Sequence, residues 1–271
     1  MRSWRQPVFL LSLICLITAS APVRSEAQQE DEDIQNAIIR YKTAIEANPN
    51  NSATRLKLGR VYLMSGNTDG AIAQFTAAIR LQADNAEAYT NLSRALLRKG
   101  DLEHALENMK KAVILDPNNS DVHYKLAQLL MRKNRVDEAV SSFRQALKLN
   151  PQHASGHRDL GAAYGLKGDP DGQIFEEKKA LELAPDDPDV HYYLGSAYVA
   201  KGQSADAQRY LTRCIELDPK NADAYRLLGA VQAAGGDIDT AIRTEETALQ
   251  LDPTNESIKA TLKKLHAAPR K

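Results

Sequence analysis

Three histidines, His123, His157 and His191, recur at intervals of 34 residues, and a regular set of imidazoles is one way to hold a metal ion. Adjacent carboxylates stand at Glu176–Glu177 and Glu245–Glu246, where a pair could share acid and base work. Cys214 is a candidate thiolate nucleophile. None of these has a catalytic setting: the chain contains no His-Glu-x-x-His, no Gly-x-Ser-x-Gly and no phosphate-binding glycine loop. The histidine interval is the informative feature, because the rest of the sequence repeats with it.

Pro49, Pro117, Pro151, Pro185, Pro219 and Pro253 lie on one 34-residue lattice, with Ala83 in the slot that lacks proline. Counted from Ser52, six units fit: 52–85, 86–119, 120–153, 154–187, 188–221 and 222–255. Within a unit the apolar residues recur at steps of three and four, pause, and resume. In the second unit they are Tyr89, Leu92, Ala95 and Leu96, then Leu102, Ala105, Leu106, Met109, Ala112 and Val113. That pattern predicts two amphipathic helices per unit. Gly66, Gly100, Gly168, Gly202 and Gly236 stand at the pause, where a left-handed helix cap favours glycine, and Asn134 fills that slot in the third unit. The prolines close each second helix, because the residue before proline avoids helical geometry.

These residues carry a resemblance to the tetratricopeptide repeat family. The first unit has Leu58, Gly59, Tyr62, Gly66, Ala71, Phe75 and Ala78 at the family's positions 7, 8, 11, 15, 20, 24 and 27. The fifth has Leu194, Gly195, Tyr198, Gly202, Ala207, Cys214 and Pro219. The resemblance implies an all-α fold, a right-handed α-solenoid of stacked antiparallel helix pairs. Ile34, Ala37, Ile38, Tyr41, Ala44 and Ile45 fit the second helix of a preceding half unit, so 28–51 is expected to hold a linker and that helix. Residues 256–271 are expected to form a capping helix and tail, since a stack must end in a solvated face.

The resemblance also weighs the candidate chemistry. The three histidines occupy position 4, an aromatic packing slot, and one repeat separates each from the next, too far for shared ligation at about 2 Å. Cys214 occupies the small-residue position 27, which suits a buried, inert thiol. The glutamate pairs lie on second helices and are expected to be solvated, although Glu177 and Glu245 replace the aromatic of position 24. Gln173 replaces the small residue of position 20 in the fourth unit, which also carries Gly156, Gly161 and Gly165. Neither metal nor cofactor nor catalytic residue is expected, and the function left is binding.

In the family the first helices line a concave groove, with positions 2, 5, 9, 12 and 13 turned toward ligand. Here those positions supply Arg60, Met64, Arg94, Arg98, Tyr124, Arg132, Arg158 and Tyr192 as candidate peptide-groove residues. Leu56/Arg60, Thr90/Arg94 and Tyr124/Gln128 depart from the Lys/Asn pairs that grip chaperone C-termini in one subfamily. The chain carries 35 basic and 35 acidic residues, so its bulk charge points to neither nucleic acid nor an acidic substrate. Unit by unit, however, the first three sum to +5 and the last three to −8. An acidic protein or peptide segment is therefore expected to prefer the N-terminal half. The expected function is a non-enzymatic interaction scaffold, with a regulatory subunit of an envelope enzyme or a chaperone-like binder of extended segments as alternatives.

The N-terminus resembles an export signal. Arg2 and Arg5 precede an apolar run from Val8 to Ala19, followed by small residues, which assigns 1–27 to a signal peptide. Periplasmic or secreted placement follows, with an uncleaved membrane tether as the alternative and no spanning segment after cleavage. Removing the signal would leave Cys214 without an internal disulfide partner.

Overall fold

The computed structural model describes residues 26 to 268, so the signal reading lies outside the described residues apart from its last two positions. Fourteen α-helices and no strands are present among the described residues. The opening helix α1 (Glu26–Ala47) precedes six pairs. These are α2 (Ser52–Met64) with α3 (Thr68–Leu81), α4 (Ala86–Lys99) with α5 (Leu102–Leu115), and α6 (Ser120–Arg132) with α7 (Val136–Leu149). There follow α8 (Ala154–Leu166) with α9 (Pro170–Leu183), α10 (Pro188–Ala200) with α11 (Ser204–Leu217), and α12 (Ala222–Ala234) with α13 (Ile238–Leu251). Helix α14 (Glu256–Ala267) closes the stack. Every first helix begins within one residue of the position the lattice assigns it.

The turns take the form expected. The five lattice glycines have φ between 69° and 88°, and Asn134 takes the same left-handed conformation at φ 57°. Asparagine and aspartate side chains cap most helix starts, as when Asn51 accepts from the Thr54 amide and Asn85 from that of Ala88. Neighbouring pairs stack in chain order, and successive first helices also touch, α2 with α4, α8 with α10 and α10 with α12. First helices thus form the inner, concave layer of the solenoid.

The linker expected ahead of the half unit is absent. Helix α1 runs unbroken from Glu26, because 26–33 contains neither proline nor glycine and its acidic residues suit a helix N-terminus. Ile38 is buried there, whereas Ile39 is exposed. Among the described residues no helix is long and apolar enough to cross a membrane.

The core is interrupted in the fourth pair. Apolar clusters join units one to two, units two to four, and units four to six, with a last one beneath α14. Helix α9 contributes mainly polar buried groups: Gln173, Glu176 and Glu177, with Ala180. Phe75 packs against Gly59 in the first pair, within 2.5 Å of where a Cβ would stand; in the fourth pair Glu177 fills that slot against Gly161. This close approach requires glycine at Gly59 and Gly161, whereas Ser93 and Ala127 hold position 8 in the second and third pairs.

Candidate functional site

The inner layer carries two joined cavities, which together draw residues from units one to five. One, about 480 Å³ in volume, runs from Thr90 and Arg94 on α4, across Leu97, Gln128 and Met131, to Asp159 and Tyr193. The other is lined by Leu63, Met64, Arg94, Leu97, Arg98 and Arg132. Arg94, Leu97 and Arg132 face both. Four of the eight groove candidates therefore meet on one surface: Met64, Arg94, Arg98 and Arg132.

Their hydrogen bonding differs. Arg132 is exposed and makes no hydrogen bond or ion pair, and Arg94 keeps one bond of 3.3 Å to Asn91 Oδ1. Arg98 instead donates to the carbonyl of Leu63 in the preceding pair, so part of its role is to tie units one and two together. Arg60 lies apart from these cavities and pairs with Glu87 at 2.6 Å.

The remaining candidates, Arg158, Tyr124 and Tyr192, are engaged by neighbouring side chains. Arg158 is held by Asp187 at 2.8 Å and by Asp159 and Asp189 at 3.4 Å. Asp187 is the N-cap of α10 and Asp189 lies in its first turn, so the capping chemistry of the next unit neutralises this arginine. Tyr124 donates to Asp159 at 2.8 Å, and Gln128 Nε2 donates both to the Tyr124 hydroxyl and to Asp159. Burial, reinforced by Asp159, holds the Tyr124 phenol above its ordinary range. Tyr192 stacks edge-on against Tyr193, and it is Tyr193 that reaches the cavity. Asn91, Lys125, Asp159 and Tyr193 share position 6, outside the family's ligand-facing set. Only the width of the cavity reveals them, while Leu97, Gln128, Met131 and Ala162 already sit at positions 9 and 12.

The three histidines are buried in the stack. Each lies 2.9 Å through Nε2 from a lattice proline carbonyl, His123 from Pro117, His157 from Pro151 and His191 from Pro185. Position 4 thus closes the turn that precedes its own helix. His157 Nδ1 also lies 2.6 Å from Glu176. Among the described residues no group of three or more metal-ligating side chains is placed to hold an ion. Cys214 is fully buried, and burial pushes its thiol up to about 11.

The expectation of solvated glutamate pairs is corrected. Glu246 is exposed, but Glu176, Glu177 and Glu245 are buried. Position 24 points into the pair interface whatever residue occupies it. Neither carboxyl of Glu177 or Glu245 has a hydrogen-bond partner. Burial raises Glu177 to about 10 and Glu245 to about 7, so Glu177 is a neutral acid at pH 7.

A family model described as the cilia and flagella-associated protein 70 C-terminal domain matches residues 18–197, and one described as tetratricopeptide repeat matches 192–256. No curated protein matches significantly. Among solved structures, YrrB, titled a TPR protein with an unusual peptide-binding site, is 21% identical over 68% of this chain and 95% of its own, with TM-score 0.63. PilF of Pseudomonas aeruginosa is 20% identical over 87% of this chain and 99% of its own, with TM-score 0.66. MamA from Desulfovibrio magneticus RS-1 is 24% identical over 63% and 97%, with TM-score 0.59. At these identities the likeness is one of fold.

Proposed function

The chain belongs to the tetratricopeptide repeat family, and we propose that it is a non-enzymatic interaction scaffold whose N-terminal half takes acidic protein or peptide segments on its concave face. The observation that carries this is the shared wall of the two cavities, where Arg94 and Arg132 present guanidiniums without carboxylate partners. Guanidinium pairs well with carboxylate in two-pronged geometry. The charge difference between the halves would steer such a partner to units one to three. The scaffold works outside the cytoplasm, periplasmic or secreted in a bacterial envelope setting, a reading supported by the basic-then-apolar sequence ahead of Pro22.

Arg94→Glu with Arg132→Glu tests the binding face better than any pair that includes Arg98, which also bonds the Leu63 carbonyl. Affinity for an acidic partner falls more than tenfold, about 1.4 kcal/mol, and added salt narrows the difference. Thermal stability stays within about 0.5 kcal/mol of wild type, as for exposed substitutions generally. Unchanged binding after the double reversal overturns the proposal. Export has its own measurement: the mature protein, sequenced from its N-terminus, begins between Pro22 and Gln29, and an intact Met1 on a cytosolic product contradicts it.

A further inference from the structure

The cavity that runs from Thr90 to Tyr193 is not simply basic. Its floor is apolar, formed by Leu97, Met109, Leu129, Met131 and Phe143. The polar groups around that floor are mostly engaged already. Ser93 donates to the Ala105 carbonyl, Asn91 to that of Glu87, and Lys125 is paired with Asp121. Asp159, at the far end, receives Tyr124, Gln128 and Arg158. A polar side chain entering here would lose water and find few free partners, which disfavours it. An apolar side chain would lose nothing and would cover the floor.

The two ends of the cavity differ in sign. Arg94 and Arg132 stand where it joins the second cavity, and Asp159 stands opposite, its carboxylate satisfied by three donors. A ligand carboxylate is attracted at the first end and repelled at the second.

Resting on the scaffold reading above, we propose that the ligand is a two-part segment. It has an acidic residue seated at Arg94 and Arg132, and beside it one large aliphatic or methionine side chain inserted over Leu97, Met131 and Phe143, with no acidic residue on the Asp159 side. The apolar residue supplies much of the residence time and the acid supplies orientation, as anchor residues do in other groove complexes.

The test is selection of a displayed library of random peptides on the intact chain, followed by synthesis of the enriched sequences. Enriched peptides combine an acidic residue with a large apolar one, and replacing that apolar residue by serine weakens binding about tenfold. Ala162 lines the cavity and is only partly buried. Ala162→Phe fills the space, so on this variant the serine replacement costs less than about twofold. Met131→Gln, which keeps the volume and changes the polarity, repeats the readout if the filled variant folds poorly by circular dichroism. If the serine replacement is silent on the wild-type chain while Arg94→Glu/Arg132→Glu abolishes binding, the apolar anchor is wrong and the basic groove stands. If the arginine reversal is silent as well, the scaffold reading falls with it.

Discussion

At position 24 the first three pairs bury Phe75, Met109 and Phe143, whereas the last three bury Glu177, Leu211 and Glu245. The backbone lattice is the same in both halves, and so is the glycine or small residue at position 8 that receives the side chain. What differs is the energetic content of the contact. An apolar side chain leaves water at a gain, while a carboxyl without a hydrogen-bond partner leaves it at a cost of several times RT. The charges divide along the same line. The N-terminal half leaves arginines facing its cavity, and the C-terminal half consumes Arg158 in a carboxylate cluster built from helix caps. At this position one half buries only apolar side chains, and the other buries two carboxyls without hydrogen-bond partners.

The largest effect comes from erasing that difference at the third pair. Phe143→Glu places in α7 what α9 already carries, and chemical denaturation should show a loss of at least about 3 kcal/mol, the usual scale for removing a buried phenylalanine. The reverse change is smaller and opposite. Glu177→Leu should stabilise by about 2 kcal/mol, because Leu211 occupies the equivalent slot against Gly195 in the fifth pair, so the shape is already known to fit. A destabilised Glu177→Leu chain would mean that the neutral carboxyl is supported in a way its contacts do not reveal.

A gentler way to sharpen the comparison is pH. Both buried acids have folded values above the ordinary 4.5, so they remain protonated in the fold where the unfolded chain has ionised. Their contribution is complete below about pH 4.5 and is lost as pH rises, through about 7 for Glu245 and about 10 for Glu177. The slope is at most about 1.4 kcal/mol per pH unit for each group. Around Glu177 stand Arg158 and Asp159 from α8 with Asp187 and Asp189 at the start of α10; Glu245 faces Arg226 of α12. Urea midpoints should therefore fall between pH 5 and pH 9 more steeply for wild type than for Glu177→Leu/Glu245→Leu. Parallel profiles for the two chains would remove the buried acids from the account.

The period, the helix limits and the left-handed turns were legible in the sequence, because each depends on residues within one or two helical turns of one another. Gly100 ends its helix, Asn85 begins the same one, and Pro117 follows the next, without reference to anything distant. The inward direction of positions 7 and 8 was legible for the same reason, but that of the position-24 glutamates, expected to be solvated, was not. The state of the polar side chains was not. Arg98 finds the Leu63 carbonyl 35 residues away, Tyr124 finds Asp159 at the same separation, and Arg158 finds Asp187 at 29. Leu63 and Asp159 come from the neighbouring unit and Asp187 from the cap of the helix that opens the next one, at distances set by how the pairs stack. Stacking likewise decided that Glu177 is sealed against Gly161, and that position 6 reaches the cavity while Arg60 does not. Sequence alone determined the repeated frame, since local backbone chemistry suffices for it. Only the tertiary structure decided which charges on that frame are free, since a charge is free or bound according to what the next repeat places beside it.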